Sequence, residues 1–508
     1  MSDADAIEGM YGVDLAPEIA TQVADPSSIV GSALRAAFGS SLLGARRTLP
    51  HLSQIDAIMA TPPTIGASSA TSSITSGVYI PSVSGSGSYA TALLDRIAYR
   101  GGGGIVPVSV DYPGNQYVKG TSLTSTASGS APFCTDIMTD APVVEFRYNG
   151  GGDKIRIRVD GQLVSATPIT LVNDGSFYFL PITFATRAFR RISIEQGSSS
   201  KFSGFQIGPS DTIELPAMRG PRCIVVGDSF TEGTGATAGA ASDWVRRFGE
   251  AMGWDDVWAS GVGGTGYLNP GTAGRVKFRD RLANDVIPFA PQIVMWAGGL
   301  NDQGTYTAAN IQAEALACYQ AIQAGIPGVV QVVLSPFWPA GVETYPTSLL
   351  DTRDAIKAAA AAASTTAQPV YFVDLIEMPV GATPVTTTLA AASSASATSL
   401  SSTAFIPTGA TIEVDTGTLR ERRVITNVTG VGPYTLSVKA MTGAHASGVA
   451  VRQVGPGYMT GSGQVGTTTG NGNADILRSS DGTHPTQAGH EHIGNLVRSL
   501  IARQLLQP

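Results

Sequence analysis

The sequence predicts an α/β protein. A three-layer parallel-sheet domain with helices on both faces carries the chemistry; a β-sandwich of jelly-roll type precedes it and a small β domain is inserted into it. Three observations predict this. In the C-terminal half, the apolar runs Ile224–Val226, Gln292–Trp296, Val329–Leu334 and Val370–Val373 alternate with stretches of helical periodicity, the pattern of βαβ units whose strands are buried on both faces. From Val78 to Pro216 the alternation has a period of two, broken by Gly and Asp turns, as in antiparallel sheets. Between Asp374 and Asp481 the chain is far longer than one connection requires, and residues 384–454 alternate as strands of their own. The expected organisation is an N-terminal arm over residues 1–75, a sandwich over 76–218 and an α/β domain over 219–508, interrupted by 384–454.

Taken in order, the arm holds short helical patterns such as Ile29–Phe38, followed by a tract rich in Pro, Ser and Thr from Thr61 to Ser76. The phrase Ala24–Leu34 resembles N-terminal segments of actinobacterial phage tail proteins; a plain amphipathic arm accounts for it equally well. A tail-associated origin implies a homo-oligomer, a trimer, joined through this region. In the sandwich, Val143–Tyr148 meets a turn at Asn149–Asp153, and Lys154–Val159 alternates cleanly before Asp160-Gly161, as hairpin strands do. Phe177–Leu180 and Arg190–Glu195 continue the series. In the α/β domain, the segment starting at Ser242 opens with a good helix cap and spaces Trp244, Val245, Phe248 and Met252 along one face. Helices are expected at Ala308–Ala324 and Leu349–Ala363. A last helix, from Gln487 onward, sets Ile493, Leu496, Val497, Leu500, Ile501 and Leu505 on one stripe. The inserted region follows the low-complexity tract Ala391–Thr403 and contains the strand patterns Thr411–Val414 and Tyr434–Val438.

Composition narrows the function classes. Of 508 residues, 43% are hydrophobic, ample for several buried cores, while only 14% are charged and the net charge is −7. With no cluster of Lys and Arg, a nucleic-acid partner is not expected. The surface is polar without being strongly charged, as suits an extracellular, β-rich protein with carbohydrate neighbours. Cys134, Cys223 and Cys318 are odd in number and widely spaced, so buried thiols are expected and no disulfide framework. No metal-ligand spacing occurs; His490 and His492, two apart on a helix, point in different directions. No apolar run is long enough for a membrane span, and the acidic start Met1–Asp5 is not followed by a signal core. An extracellular or virion-associated location then implies a removed signal or another export route.

The chemistry centres on Ile224-Val225-Val226-Gly227-Asp228-Ser229. An apolar strand, a glycine that lets the backbone turn and a serine at the carboxyl edge of the sheet are where open α/β sheets place reacting groups. Gly-Asp-Ser alone is also ordinary turn chemistry, so the case rests on partners. Near the C-terminus stands Asp481-Gly482-Thr483-His484-Pro485. A serine hydroxyl needs a base, and that base needs an acceptor to fix its tautomer; an aspartate three residues before a histidine on one tight loop supplies both. Asn301, in Gly298-Gly299-Leu300-Asn301-Asp302, lies just past the strand ending at Trp296, and its amide can donate to an oxyanion. The glycines of Ser260–Gly266 are either loop or a source of exposed backbone N–H groups.

These four blocks in this order resemble the SGNH/GDSL hydrolase family, over roughly residues 221–303 and 475–506. The resemblance implies Ser229 as nucleophile, His484 as general base and acid, and Asp481 as its orienting carboxylate. It implies an oxyanion hole made of the Ser229 N–H, the Gly264 N–H and the Asn301 side chain. Gly263 competes with Gly264, and Ser260 stands where many relatives have Asn. No cofactor and no metal are implied. The expected activity is serine ester hydrolysis, with an acetylated polysaccharide as the favoured substrate. A lipase or thioesterase of the same family is the alternative within the class. A structural or glycan-binding tail protein carrying an inactive hydrolase domain is the alternative outside it.

Overall fold

The computed structural model describes residues 57–504 except 85–90, 93–94, 102–104, 109–116, 122–129, 132, 198, 238–241, 273, 340–344, 377–384, 417–418, 420, 456–457, 460–462 and 468–472. The helical patterns of the arm before residue 57, the tail-like phrase within it and Leu505 lie outside the described residues.

Two antiparallel sheets occupy the N-terminal half. One pairs Val143–Asn149 with Phe177–Thr183 on one side and Phe202–Ile207 on the other. The second pairs Lys154–Val159 with Arg190–Gln196, which in turn pairs with Phe133–Thr139. Alternate residues of both sheets share one apolar core: Phe146, Tyr148, Phe202 and Phe205 from the first, and Ile137, Ile157, Ile192 and Ile194 from the second. The aromatic members stack, with ring centroids of Phe146 and Phe202 5.3 Å apart, which adds to their area burial.

The C-terminal half is built on five parallel strands: β1 (Cys223–Gly227), β2 (Val257–Gly261), β3 (Ile293–Ala297), β4 (Val330–Leu334) and β5 (Val370–Val373). Their order is β2-β1-β3-β4-β5. Along β1, Cys223 and Val225 point to one face and Ile224 and Val226 to the other, which is why the run is apolar throughout. The first face is covered by α2 (Trp244–Met252) and α7 (Gln487–Gln504); the second by α3 (Phe278–Asp285), α4 (Ala308–Gly325) and α5 (Thr347–Ala363). The single-turn α1 (Ser229–Glu232) follows β1 and the short α6 (Ala474–Leu477) precedes α7. After β1 the chain moves to β2 on one side and then to β3 on the other. The carboxyl end of β1 is therefore a topological switch point, where the crevice of such a sheet lies.

Between β5 and α6, strands from Thr386 to Val454 form an antiparallel sheet with its own core of Ile412, Val414, Ile425, Leu436 and Val451. Arg422 of this sheet, paired with Glu413 within it at 2.9 Å, touches the parallel-sheet region: its guanidinium lies 4.3 Å from the Tyr345 ring centroid and donates to the Ile376 carbonyl at 3.4 Å.

Local sequence explains most boundaries. The cap of α2 is Asp243, not Ser242: its side chain accepts the Arg246 N–H at 2.8 Å. Ile493, Val497, Leu500 and Ile501 of α7 are buried with Leu496 beside them. Cys134, Cys223 and Cys318 are buried thiols, and burial pushes the Cys134 thiol up to about 12. Among the described residues, no helix is long and apolar enough to cross a membrane.

Candidate active site

Asp228 ends the turn out of β1 by capping α1, its carboxylate accepting the Phe230 N–H at 3.0 Å. This sets Ser229 at the first position of a helical turn, half-buried at the carboxyl edge of the sheet. Across 255 residues of sequence, His484 Nε2 comes within 2.9 Å of Ser229 Oγ. His484 Nδ1 is 2.7 Å from Asp481 Oδ2. The other oxygen of Asp481 accepts the backbone N–H groups of Thr483 and His484 at 2.8 and 2.9 Å and the Ser479 hydroxyl at 2.7 Å. Partial burial works to raise the Asp481 pKa, but the His484 ring, the Ser479 hydroxyl and the two N–H groups hold it well below the usual carboxylate range. A carboxylate kept ionised fixes the imidazole with Nδ1 protonated and Nε2 free to accept the serine proton.

The loop after β2 approaches from the other side. The Gly263 N–H donates to Glu232 Oε2 at 2.8 Å, and the Gly263 carbonyl accepts from Arg275. The Gly264 N–H has no acceptor among the described residues, and neither has the Ser229 N–H. Gly264 has φ 74°, a left-handed conformation that turns the peptide outward and that a side chain would strain. Of the two competing glycines, it is therefore Gly264 whose donor is available. Asn301 uses one amide hydrogen to donate to the Thr265 carbonyl at 2.9 Å, leaving the other free of that bond. The structure thus brings Ser229, His484 and Asp481 into one hydrogen-bonded line, with Gly264 and Asn301 on the two loops beside it.

Sequence reasoning did not assign several residues that hold this arrangement. Asp302 is fully buried and accepts the N–H groups of Tyr267, Leu268 and Asn269 at 2.8, 2.9 and 2.8 Å. Burial still raises its pKa, because it is enclosed on all sides. Gly266 is required here: a Cβ at that position would lie 2.3 Å from Asp302 Oδ2. Asn269 closes the link by donating to the Asn301 carbonyl at 2.8 Å. His490 Nδ1 accepts the Trp244 N–H at 3.3 Å and Nε2 donates to the Thr234 carbonyl at 3.0 Å, tying α7 to the segment after α1. Burial pushes its pKa down to about 4, so it is a neutral strut and not a second base. Asp302 was visible in the Gly-x-Asn-Asp block; nothing local marked Glu232 or His490. Among the described residues, no three His, Cys, Asp or Glu side chains are placed to hold a metal.

Residues 225–400 match the model of the GDSL-like lipase/acylhydrolase family. The match falls on the parallel-sheet region, which is therefore similar to GDSL-like lipase/acylhydrolase domains. The match includes Ser229, Gly264 and Asn301; Asp481 and His484 lie beyond it. Among solved structures, the chain is similar to a family two carbohydrate esterase from Clostridium thermocellum, with 15% identity over 55% of this chain and 88% of that one and a TM-score of 0.42. It is also similar to a family two carbohydrate esterase from Cellvibrio japonicus, with 12% identity over 60% and 90% of the two chains and a TM-score of 0.44. An acetyl xylan esterase from Butyrivibrio proteoclasticus follows, at 11% identity over 59% and 90%, with a TM-score of 0.41. No curated protein matches the chain.

Proposed function

We propose that the chain is a serine esterase that removes acetyl groups from a polysaccharide through an acyl-enzyme. The observation that carries this reading is the line from Asp481 through His484 to Ser229, at 2.7 and 2.9 Å, ending beside N–H donors that have no acceptor among the described residues. His484 Nε2 takes the proton as Ser229 Oγ attacks the ester carbonyl carbon. The carbonyl oxygen becomes an oxyanion held by the Ser229 and Gly264 N–H groups and by Asn301 Nδ2. His484 then returns the proton to the departing sugar oxygen, the C–O bond breaks, and acetyl remains on Ser229. Water, deprotonated by the same nitrogen, attacks the acyl carbon, and acetate leaves as Ser229 recovers its proton. Each oxyanion donor contributes about 3 kcal/mol to the transition state.

The polysaccharide is favoured by the weakly charged composition and by two β-rich regions, one preceding the parallel-sheet region and one inserted into it. We read the paired N-terminal sheets as a support for the catalytic helices and the sheet of residues 386–454 as a wall beside the crevice. The test is acetate release from a panel of acetylated polysaccharides by the native protein and by Ser229→Ala. Release that disappears in the variant supports both mechanism and substrate. Release from none, with short aryl esters still cleaved in a Ser229-dependent way, keeps the mechanism and refutes the polysaccharide.

A further inference from the structure

The donors proposed for the oxyanion sit at the ends of two different strands. The Ser229 N–H follows β1 and the Gly264 N–H follows β2, so their separation depends on how these two strand ends are held together. The strands pair in parallel up to Gly227 and Gly261, and one further bond, from the Val262 N–H to the Gly227 carbonyl at 3.1 Å, extends beyond.

A side chain from α3 also bridges them. Arg281 Nη2 donates to the Gly227 carbonyl at 2.7 Å and to the Ser260 carbonyl at 3.0 Å. Arg281 is 1% exposed. Its charge is met by Asp285, whose Oδ2 lies 3.7 Å from Arg281 Nε and accepts the Ser260 hydroxyl at 2.8 Å. The guanidinium also lies 5.0 Å from the Phe278 ring centroid, but among the described residues Arg281 Nε and Nη1 and Asp285 Oδ1 have no hydrogen-bond partner. A buried ion pair with unmade hydrogen bonds gives little net stability, because desolvation offsets the attraction. What this one does well is hold two carbonyls on neighbouring strands with a single nitrogen.

We propose that Arg281 is a positioning residue for ester hydrolysis, clamping the ends of β1 and β2 so that the Ser229 and Gly264 N–H groups converge on one oxyanion. The inference rests on the serine-esterase reading above and deepens it. Ser260 belongs to the same device. Its hydroxyl holds Asp285 and its carbonyl receives Arg281, so the clamp occupies the position where the family resemblance leads one to expect Asn.

The experiment compares the native protein, Ser229→Ala, Arg281→Met and Asp285→Asn with 4-nitrophenyl acetate, measuring kcat, KM and the thermal midpoint of each full-length chain. Arg281→Met keeps the aliphatic volume and removes both carbonyl bonds. The expected result is a kcat about 10- to 100-fold lower with KM within about threefold, since misplaced donors weaken the transition state and not ground-state binding. Its thermal midpoint falls, because Asp285 and two carbonyls lose their buried partner, so kcat is compared well below the variant's midpoint. Asp285→Asn leaves Arg281 without its counter-charge and lowers the thermal midpoint, but keeps both carbonyl donors, so its kcat, measured well below that midpoint, falls less than that of Arg281→Met; an equal or larger loss would assign the effect to the ion pair and overturn the clamp. A folded Arg281→Met with native kcat overturns it directly. If Arg281→Met does not fold, Arg281→Gln, a shorter donor unable to span both carbonyls, takes its place with the same expected loss. Absence of any Ser229-dependent turnover in the native protein would overturn the esterase reading and the clamp together.

Discussion

Replacing Asn301 by Ala tests the oxyanion site at the donor whose removal disturbs the rest of the structure least. Among the described residues the side chain makes one hydrogen bond, from Nδ2 to the Thr265 carbonyl at 2.9 Å. Losing it leaves a buried carbonyl without that partner, a cost of about 1 to 3 kcal/mol in stability. For a domain of this size that lowers the melting temperature by several degrees, about 2–4 °C per kcal/mol. The catalytic cost is separate. If the second amide hydrogen meets the oxyanion, its removal costs about 3 kcal/mol of transition-state stabilisation, or about 100- to 1000-fold in kcat. Because the hydrogen bond forms fully only as charge develops on oxygen, KM should change by less than about threefold. Steady-state kinetics with 4-nitrophenyl acetate, run well below the variant's melting temperature, separates the two effects. A kcat within about fivefold of the native value in a folded Asn301→Ala protein would refute the assignment of this side chain to the oxyanion.

Two further outcomes follow from the same geometry. Asp302→Ala leaves one buried and two part-buried N–H groups without their acceptor; urea unfolding should show a loss of about 3 kcal/mol, with Asp302→Asn intermediate because it retains one acceptor oxygen. His490 has a folded pKa of about 4 against an ordinary value of 6.5. The unfolded chain therefore binds a proton that the folded one excludes, and this stabilisation is complete above about 6.5 and lost as pH falls toward 4. The loss is about 3 kcal/mol in all. Asp228, pushed up to about 7 by burial, works in the opposite sense over part of that window, so the native curve alone is not diagnostic. The difference in unfolding free energy between native protein and His490→Asn isolates the histidine: it should shrink steadily from pH 7 to pH 4, and a constant difference would contradict it.

What was legible in the sequence was what local rules govern. Ser229 and Asn301 each follow an apolar run, and His484 shares a tight loop with Asp481, so strand ends and loop spacing were enough to single them out. The strand Lys154–Val159 begins and ends where its alternation does. What was not legible depended on partners far away in the chain. Gly263 and Gly264 are equivalent as sequence; they differ because Glu232, 31 residues earlier, occupies the first one's N–H. The helix Phe278–Asp285 gave no signal, since most of its residues are polar and its cap, Lys277, makes no side-chain hydrogen bond. Phe278 and Leu282 enter the apolar core, but Arg281 and Asp285 are buried beside them as an ion pair 3.7 Å apart, which no periodicity reports. His490 read as one of a poor metal pair; its role comes from two backbone partners more than 240 residues away.

The same reasoning connects the N-terminal sheets to the site through a chain of helices. Glu195, on one of those sheets, is buried and pairs with Arg158 and Arg156 of the same sheet, at 3.0 Å each, and with Arg246 of α2 at 2.8 Å. Arg158 also reaches Glu250, one helical turn further along α2. Burial opposes the charge on Glu195, but the surrounding guanidinium groups hold its carboxyl well below the usual range. Such a network adds little net stability, because each charge gives up its hydration; it does fix which turn of α2 meets the sheet. α2 in turn carries the Trp244 N–H bound by His490 and packs along α7. Since α7 starts three residues after His484, a shift in the register of α2 on the sheets would be transmitted to the imidazole, where displacement by an ångström is enough to cost about a hundredfold in rate. The sheets can therefore matter to the chemistry by fixing a helix pair, whether or not they bind a glycan.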